Sequence, residues 1–358
     1  MIEDMNLTRI ENTTLTRRRI GLLALAIVAV VALLVSPYRD GITSIVNVGF
    51  FNTALVLSVP ITLAGIGGLY SEKSGVINIG IEGFLIAGAF TSVLVTGATA
   101  GSLGADNAVW LGLLAAVVVG SVGALVFGVV CIRYKADQVI AGLAVWFIFL
   151  GLAPFLSRVY WGNINSPTVA TFNQVAIPIL SDIPWIGRLL FTNYPTTYIM
   201  LIVVPVAWYV LKHTSFGMWV RASGEHPESL DTAGINVNRV RYVSIMISGA
   251  LSGIGGAALT LSTVGQFIGQ GQTIVGGDGF IGIVAYLMGN YNPLGTFAAA
   301  LLFAGLDALQ LRLQQIGLDI APELFGAVPY VAVIIVLVLF GYTRIPANAG
   351  ENYESGDD

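Results

Sequence analysis

Apolar runs long enough to cross a hydrocarbon layer of roughly 30 Å recur along nearly the whole chain, separated only by short polar patches. A water-soluble fold could not hide them. With 56% hydrophobic and 10% charged residues and a mean hydropathy of +0.83, too few polar side chains remain to cover a soluble surface. The sequence therefore predicts an all-α polytopic membrane protein. Ten spans are expected, at 20–36, 46–70, 76–98, 108–132, 138–156, 196–212, 242–262, 279–289, 295–312 and 326–342. The eighth is too short to cross alone as a straight helix. The first reads as a retained signal anchor, because residues 37–45 offer no small-residue cleavage pattern and more than 300 residues of membrane sequence follow.

Several chemistries find no support. Cys131 is the single cysteine and sits inside an apolar run, so it reads as a small buried hydrophobe. His213 and His226 have no cysteine or second histidine at ligand spacing, and no metal site is expected. The lysines, Lys73, Lys135 and Lys212, do not follow a glycine as a phosphate-binding P-loop requires, so any ATP chemistry must come from another chain. No His, Cys or Ser constellation of catalytic type appears, and no cofactor is expected in this chain.

Basic residues accumulate on the cytoplasmic side of membranes. In the ten-span topology twelve lysines and arginines fall on one side, and four, Arg39, Arg158, Arg188 and Arg312, on the other. Both termini are then cytoplasmic. The chain divides into an N-terminal tail at 1–19, a transmembrane domain at 20–343 and an acidic tail at 344–358, expected to be solvated and disordered. Two loops are long. Residues 157–195, placed outside, hold four prolines, Trp161, Trp185 and the amphipathic piece "ILSDIPWIGRLLF", which either lies on the lipid boundary or receives an external partner. Residues 213–241, placed inside, are the most polar segment. Within the spans, "SGALSGIGGA" at 248–257 sets Gly249 and Gly253 at GxxxG spacing, flanked by Ser248, Ser252 and Gly256, a pattern for close helix packing.

One motif occurs twice. "GIEGFLIAG" at 80–88 and "GGDGFIGIV" at 276–284 share a glycine, an acid, Gly, Phe and an aliphatic residue at an offset of 196 positions, and the topology runs them in opposite directions. That is the signature of an inverted repeat with interrupted helices framing a path. Asn78 and Glu82, four apart, would share a helix face. Asp278 takes the place of Glu82 in the second copy, preceded by Gln266, Gln270, Gln272 and Thr273. A carboxylate at that depth must face protein or a water-filled cavity. Two readings stay open: Glu82 and Asp278 satisfy helix ends as structural glue, or Asn78, Glu82, Gln266, Gln270 and Asp278 line a translocation path.

In "RASGEHPESLDTAGINVNRVRY" at 221–242, Pro227 suits the first turn of a helix and Gly234 its stop, giving about two turns. Leu230 is expected to stand exposed among Glu228, Ser229, Asp231 and Thr232, making a knob that adjoining spans or a partner must hold.

At "SEKSGVINIGIEG" (71–83) and "GEHPESLDTAGINVNRVRY" (224–242), followed by "SGALSGIGGA", the sequence resembles the membrane subunits of ABC importers. The branch is that of simple-sugar, branched-chain amino-acid and nucleoside permeases, the nucleoside type above all. The resemblance in hydropathy extends from about residue 20 to 343. It implies a prokaryotic multi-pass cell-membrane permease that works with an ABC ATPase subunit, a second permease chain, related or identical, and an external substrate-binding lipoprotein, with no nucleic acid. It also implies that residues 224–236 are a coupling helix docking on the ATPase, with Arg221, Gly224, Glu225, Pro227, Leu230, Ala233, Gly234 and Asn236 as its coupling residues. One departure concerns the solute: Val145, Trp146 and Phe147 in "QVIAGLAVWFIFLGL" stand where a polar residue, often Asn, is expected. The alternatives are a sugar or branched-chain amino-acid permease and, from another class, a proton-coupled carrier with Glu82 and Asp278 as proton carriers. The carrier reading gives the two-turn inner helix no role.

Overall fold

Inside lipid a backbone N–H has no water to bond, so the apolar runs resolve into helices. The computed structural model describes residues 47–315 and 344–354. In chain order the helices are α1 (Val48–Lys73), α2 (Ile81–Leu103), α3 (Ala105–Gly128), α4 (Gln138–Trp161), α5 (Ile186–Leu190), α6 (Pro195–His213), α7 (Ser215–Glu225), α8 (Pro227–Thr232), α9 (Val237–Ala258), α10 (Asp278–Met288) and α11 (Pro293–Gln315). α3 and α9 each run on into a π-helical turn, Val129–Arg133 and Leu259–Val264.

Among the described residues seven helices are long and apolar enough to cross a membrane: α1, α2, α3, α4, α6, α9 and α11, counted with the π turns. These are seven of the expected spans. The short eighth span is α10, whose 11 residues reach only roughly 16 Å at 1.5 Å each. The expected spans 20–36 and 326–342 lie outside the described residues, as do the 1–19 tail and residues 355–358.

The glycine pattern at 248–257 acts as a packing surface. A methyl group at Gly249 would lie 2.2 Å from the Gly120 carbonyl oxygen, and one at Gly253 2.2 Å from that of Ala116. α9 and α3 are thus in backbone contact. α2 closes on the same seam, since a methyl at Gly88 would lie 2.5 Å from the Gly253 carbonyl. By contrast α4 turns large apolar residues such as Ile140, Phe147, Ile148 and Phe155 outward.

The 157–195 loop folds back on the chain. Ser166, Val169 and Phe172 donate their N–H groups to the carbonyls of Phe267, Gly265 and Leu261 at 2.9, 2.7 and 2.7 Å, so this stretch runs alongside the end of α9 in the opposite direction. Strands β1 (Val175–Ala176) and β2 (Thr192–Asn193) pair antiparallel, Val175 with Asn193. The amphipathic piece forms only the five-residue α5, beside which Ile179 and Trp185 stand exposed.

The C-terminal stretch departs from the expectation of a solvated end. Residues 344–354 form a strap across the end of the molecule that carries α7 and α8. Asn348 donates from its N–H to the Gly224 carbonyl and from Nδ2 to the Glu225 carbonyl, both at 2.8 Å. The Gly350 N–H reaches the Gly75 carbonyl at 3.1 Å, and the Tyr353 hydroxyl donates to Asp231 Oδ2 at 2.8 Å. Glu354 pairs with Lys135. Acidic composition reads as solvation, but here the strap's amides satisfy helix-end carbonyls that would otherwise lack donors.

Candidate functional site

Between α1 and α2 the chain breaks its helix. Gly75, at φ +98°, makes the turn that a residue with a Cβ would strain. Side chains then hold the extended segment: Ser71 Oγ donates to the Val76 carbonyl at 2.8 Å, and Gln138 Oε1 accepts from the Ile77 N–H at 2.7 Å. Asn78 Nδ2 donates to Ser248 Oγ on α9 at 3.0 Å. The helix resumes at Ile81, so Asn78 lies before it and shares no helix face with Glu82. That expectation fails because the turn at Ile79 and Gly80 intervenes. Glycines let α4 reach the same segment: a methyl at Gly83 would lie 2.9 Å from the Val145 carbonyl, and one at Gly142 2.9 Å from the Gly80 nitrogen.

Glu82, 1% exposed, turns away from this packing toward the second copy of the motif. Its two carboxylate oxygens accept the N–H groups of Gly277 and Gly279 at 2.9 and 2.7 Å. These are orphan donors at the start of α10, where a negative charge is also favoured by the helix dipole. α2 and α10 therefore meet N-terminus to N-terminus. The approach requires Gly279, because a methyl there would lie 2.7 Å from Glu82 Oε2 and 2.8 Å from its Cα. Asp278, half-buried, sits between the two donating glycines.

The remaining residues singled out for a path are placed unequally. Gln266 is half-buried while Gln270 and Gln272 are exposed, in the loop leading to α10. Trp146, part of the departure from the family pattern, meets Phe280 edge to face with ring centroids 5.0 Å apart, next to the junction. Three groups escaped the sequence reading. Gln138 holds the helix break. Asp307 adds a half-buried carboxylate on α11. Glu72, in the quoted "SEKSG", accepts the Tyr291 hydroxyl at 2.8 Å and also that of Tyr286, near the far end of α10. The tyrosines are 214 and 219 residues away, so no local pattern could have found them.

The second region is the face around α8. Pro227 opens this helix and Gly234, at φ +78°, follows its end, both as the sequence predicts. Leu230 differs from expectation. It is only 5% exposed and packs in one apolar cluster with Leu69, Tyr70, Val220 and Val237. A six-residue helix cannot hold itself in water, and its one large apolar residue is its anchor. What α8 offers outward is Glu228, Ser229, Thr232, Ala233, Gly234 and, just beyond, Asn236. Asn236 also caps α9, its Oδ1 accepting the Arg239 N–H at 2.8 Å. Arg221 is exposed and Glu225 half-buried. Gly224 sets α7 against the end of α1, since a methyl there would lie 2.3 Å from the Lys73 carbonyl. Ser223 Oγ adds a 2.7 Å bond to the Ser74 carbonyl. Burial and the hydrogen bond to Asp231 push the Tyr353 hydroxyl up to about 12, keeping it a neutral donor across the physiological range.

The model of the family described as "Branched-chain amino acid transport system / permease component" matches residues 50–337. The guanosine ABC transporter permease protein NupQ of Bacillus subtilis is 36% identical over 84% of this chain and 95% of its own length. The nucleoside ABC transporter permease protein NupC of Lactococcus lactis is 36% identical over 84% and 94%. The putative glucose ABC transporter permease protein TsgC13 of Haloferax volcanii is 33% identical over 77% and 80%. Each of these organisms also holds a second, more distant permease match, at 26%, 24% and 29% identity. No solved structure matches. With seven apolar spans among the described residues and these matches, the chain belongs to the branched-chain amino acid transport system permease family, the multi-pass membrane components of ABC transporters.

Proposed function

We propose that this chain is the membrane permease subunit of an ATP-driven ABC importer of nucleosides. The observation that carries the solute is the 36% identity, over 84% of the chain, to permeases named for guanosine and for nucleosides. The solute arrives from an external binding protein, and ATP is hydrolysed on a separate chain. Because three organisms each pair a closer with a more distant match, the partner permease is a related chain, not a second copy. Both termini and the α8 face are cytoplasmic, and 157–195 is external.

The ATPase docks on residues 224–236 through the outward residues of α8. Movement of α8 passes to the end of α1 through Gly224 and Ser223, then through Glu72 to Tyr286 and along α10 to the Glu82 junction. The two copies of the motif form an inverted repeat about that junction. Asn78, Glu82 and Asp278 frame the path, and Gln266 and Gln270 stand at its approach. In this frame the acids orient helix ends and need not release protons.

The test is uptake by the permease reconstituted with its partner chains. Labelled guanosine should enter in an ATP-dependent manner and persist when an uncoupler collapses the proton gradient at constant ATP. Loss of uptake with the gradient would overturn the ABC reading in favour of a proton-coupled carrier. A sugar permease is the second reading, favoured by the 33% identity to a permease named for glucose. Competition by glucose but not by nucleosides would establish it.

A further inference from the structure

Among the described residues, positive charge is gathered at one place on the α8 face without a matching set of anions. A cavity of 410 Å³ opens between the end of α1, the end of α7, the α10–α11 turn and the strap, and Lys73, Arg221, Glu225, His226, Asn290 and Arg344 line it. Among the described residues three cations thus face one carboxylate. No carboxylate among the described residues forms an ion pair with any of the three; Lys135 and Glu354 make the pair found on this face. Glu72, the neighbour of Lys73, is already engaged by the hydroxyls of Tyr286 and Tyr291. The Lys73 ammonium instead lies 5.6 Å from the centre of the Tyr291 ring. Arg221 is steadied by its own helix, Nε donating to the Gly217 carbonyl at 3.3 Å, which leaves its terminal nitrogens for the cavity. Arg344 is fixed at the rim by its N–H to Asn290 Oδ1, 3.0 Å.

Like charges gathered around a half-enclosed space repel one another unless an anion joins them. Two guanidinium forks and an ammonium match the oxygens of a phosphate better than any neutral ligand. The volume falls in the range of small-molecule sites, about 300–1,000 Å³. We propose that this cavity binds a phosphate group. The group belongs either to a soluble phosphate compound or to a lipid headgroup, since Lys73 ends a membrane-spanning helix and basic pockets at such ends suit headgroups. Because its three cations come from α1, α7 and the strap, the bound group clamps these three segments together. The proposal does not depend on which solute is transported.

The experiment uses the full-length permease purified in detergent. In the first arm, thermal unfolding of delipidated protein is followed in sodium phosphate against sodium chloride at equal ionic strength. In the second, native mass spectrometry counts phosphatidylglycerol and phosphatidylethanolamine retained on extraction. Wild type should show saturable stabilisation by phosphate, selective retention of the anionic lipid, or both. The first identifies a soluble source and the second a headgroup. Arg221→Gln and Arg344→Gln should each weaken binding about tenfold. Glu225→Gln, which removes the carboxylate seen among the described lining residues, should tighten it several-fold, a gain that misfolding cannot produce. The proposal is overturned if wild type shows neither effect, or if Glu225→Gln weakens binding. Should the arginine variants fail to fold, the wild-type arms and Glu225→Gln still decide.

Discussion

At the junction of α2 and α10 a buried carboxylate meets two backbone N–H groups, and glycines bring the helix ends together. At the α8 face, a strap of polar residues reaches carbonyls and side chains of α7, α8 and α9, with Arg241 Nη1 donating to the Glu351 carbonyl at 3.0 Å. The junction has backbone donors and no space for a methyl group at Gly279. The face has exposed side chains and a cavity. A site built from backbone is fixed in geometry and intolerant of volume. A site built from side chains can be loosened one bond at a time.

The largest effect should come from breaking the junction by volume. Gly279→Val places branched carbons on the Glu82 backbone, and neither helix end can retreat without breaking the α2 contacts to α9. Overpacking of this kind costs about 3 kcal/mol, and more where backbone is the obstacle. The variant should give little folded protein by size-exclusion chromatography in detergent. Normal yield with an unchanged unfolding temperature would show that the junction is looser than its distances imply.

Next comes the buried anchor of the face. Leu230→Asp places a charge among Leu69, Tyr70 and Val220, a loss on the order of a few kcal/mol. Thr232→Arg alters only the outward side of α8. Leu230→Asp should therefore lower the unfolding temperature as well as ATPase binding, while Thr232→Arg should lower binding alone. Equal behaviour of the two variants in a pull-down and a melt would remove the distinction between anchor and docking surface.

The contrast also explains what could be read in advance. Spans are a property of local composition, so seven helices and the short α10 follow from hydropathy, and Pro227 and Gly234 bracket α8 because capping is local. The repeated Gly-acid-Gly-Phe motif marks both helix starts at the junction, but not that Glu82 bonds the other copy 195 and 197 residues away. Leu230 departs from its expected exposure because its sequence neighbours are polar, whereas its spatial neighbours come from α1, α7 and α9. Asn78 lies off the α2 face because a two-residue turn, which hydropathy does not register, delays α2 to Ile81. The strap was misread because acidic composition says nothing of backbone donors.

Glu82→Gln is a milder probe of the junction than Gly279→Val. The amide keeps one accepting oxygen but turns an NH₂ toward the other glycine N–H, so one of two bonds is lost and a donor faces a donor. The expected loss is about 2 kcal/mol. On the proposed ABC mechanism, in which the charge orients a helix end, ATP-driven uptake should persist at reduced protein yield. If yield is normal but accumulation fails, the carboxylate takes part in transport itself.

The smallest expected effect is on the strap, and it sharpens the claim that the face is held by separable bonds. Tyr353→Phe removes the hydroxyl that donates to Asp231 Oδ2 while keeping the ring against the apolar cluster shared with Leu230. Asp231 is partly exposed and can turn to water, so the net loss should be about 0.5–1 kcal/mol. Asn348→Ala should exceed it, because the carbonyl of Glu225 at the end of α7 then loses its Nδ2 donor while the strap's own N–H still binds Gly224. Hydrogen exchange of the 224–236 amides gives the readout. Both variants should speed exchange there and leave the amides of Gly277 and Gly279 as slow as in wild type. Faster exchange at the junction as well would mean that the two regions unfold as one unit, and the division between a fixed junction and a yielding face would have to be abandoned.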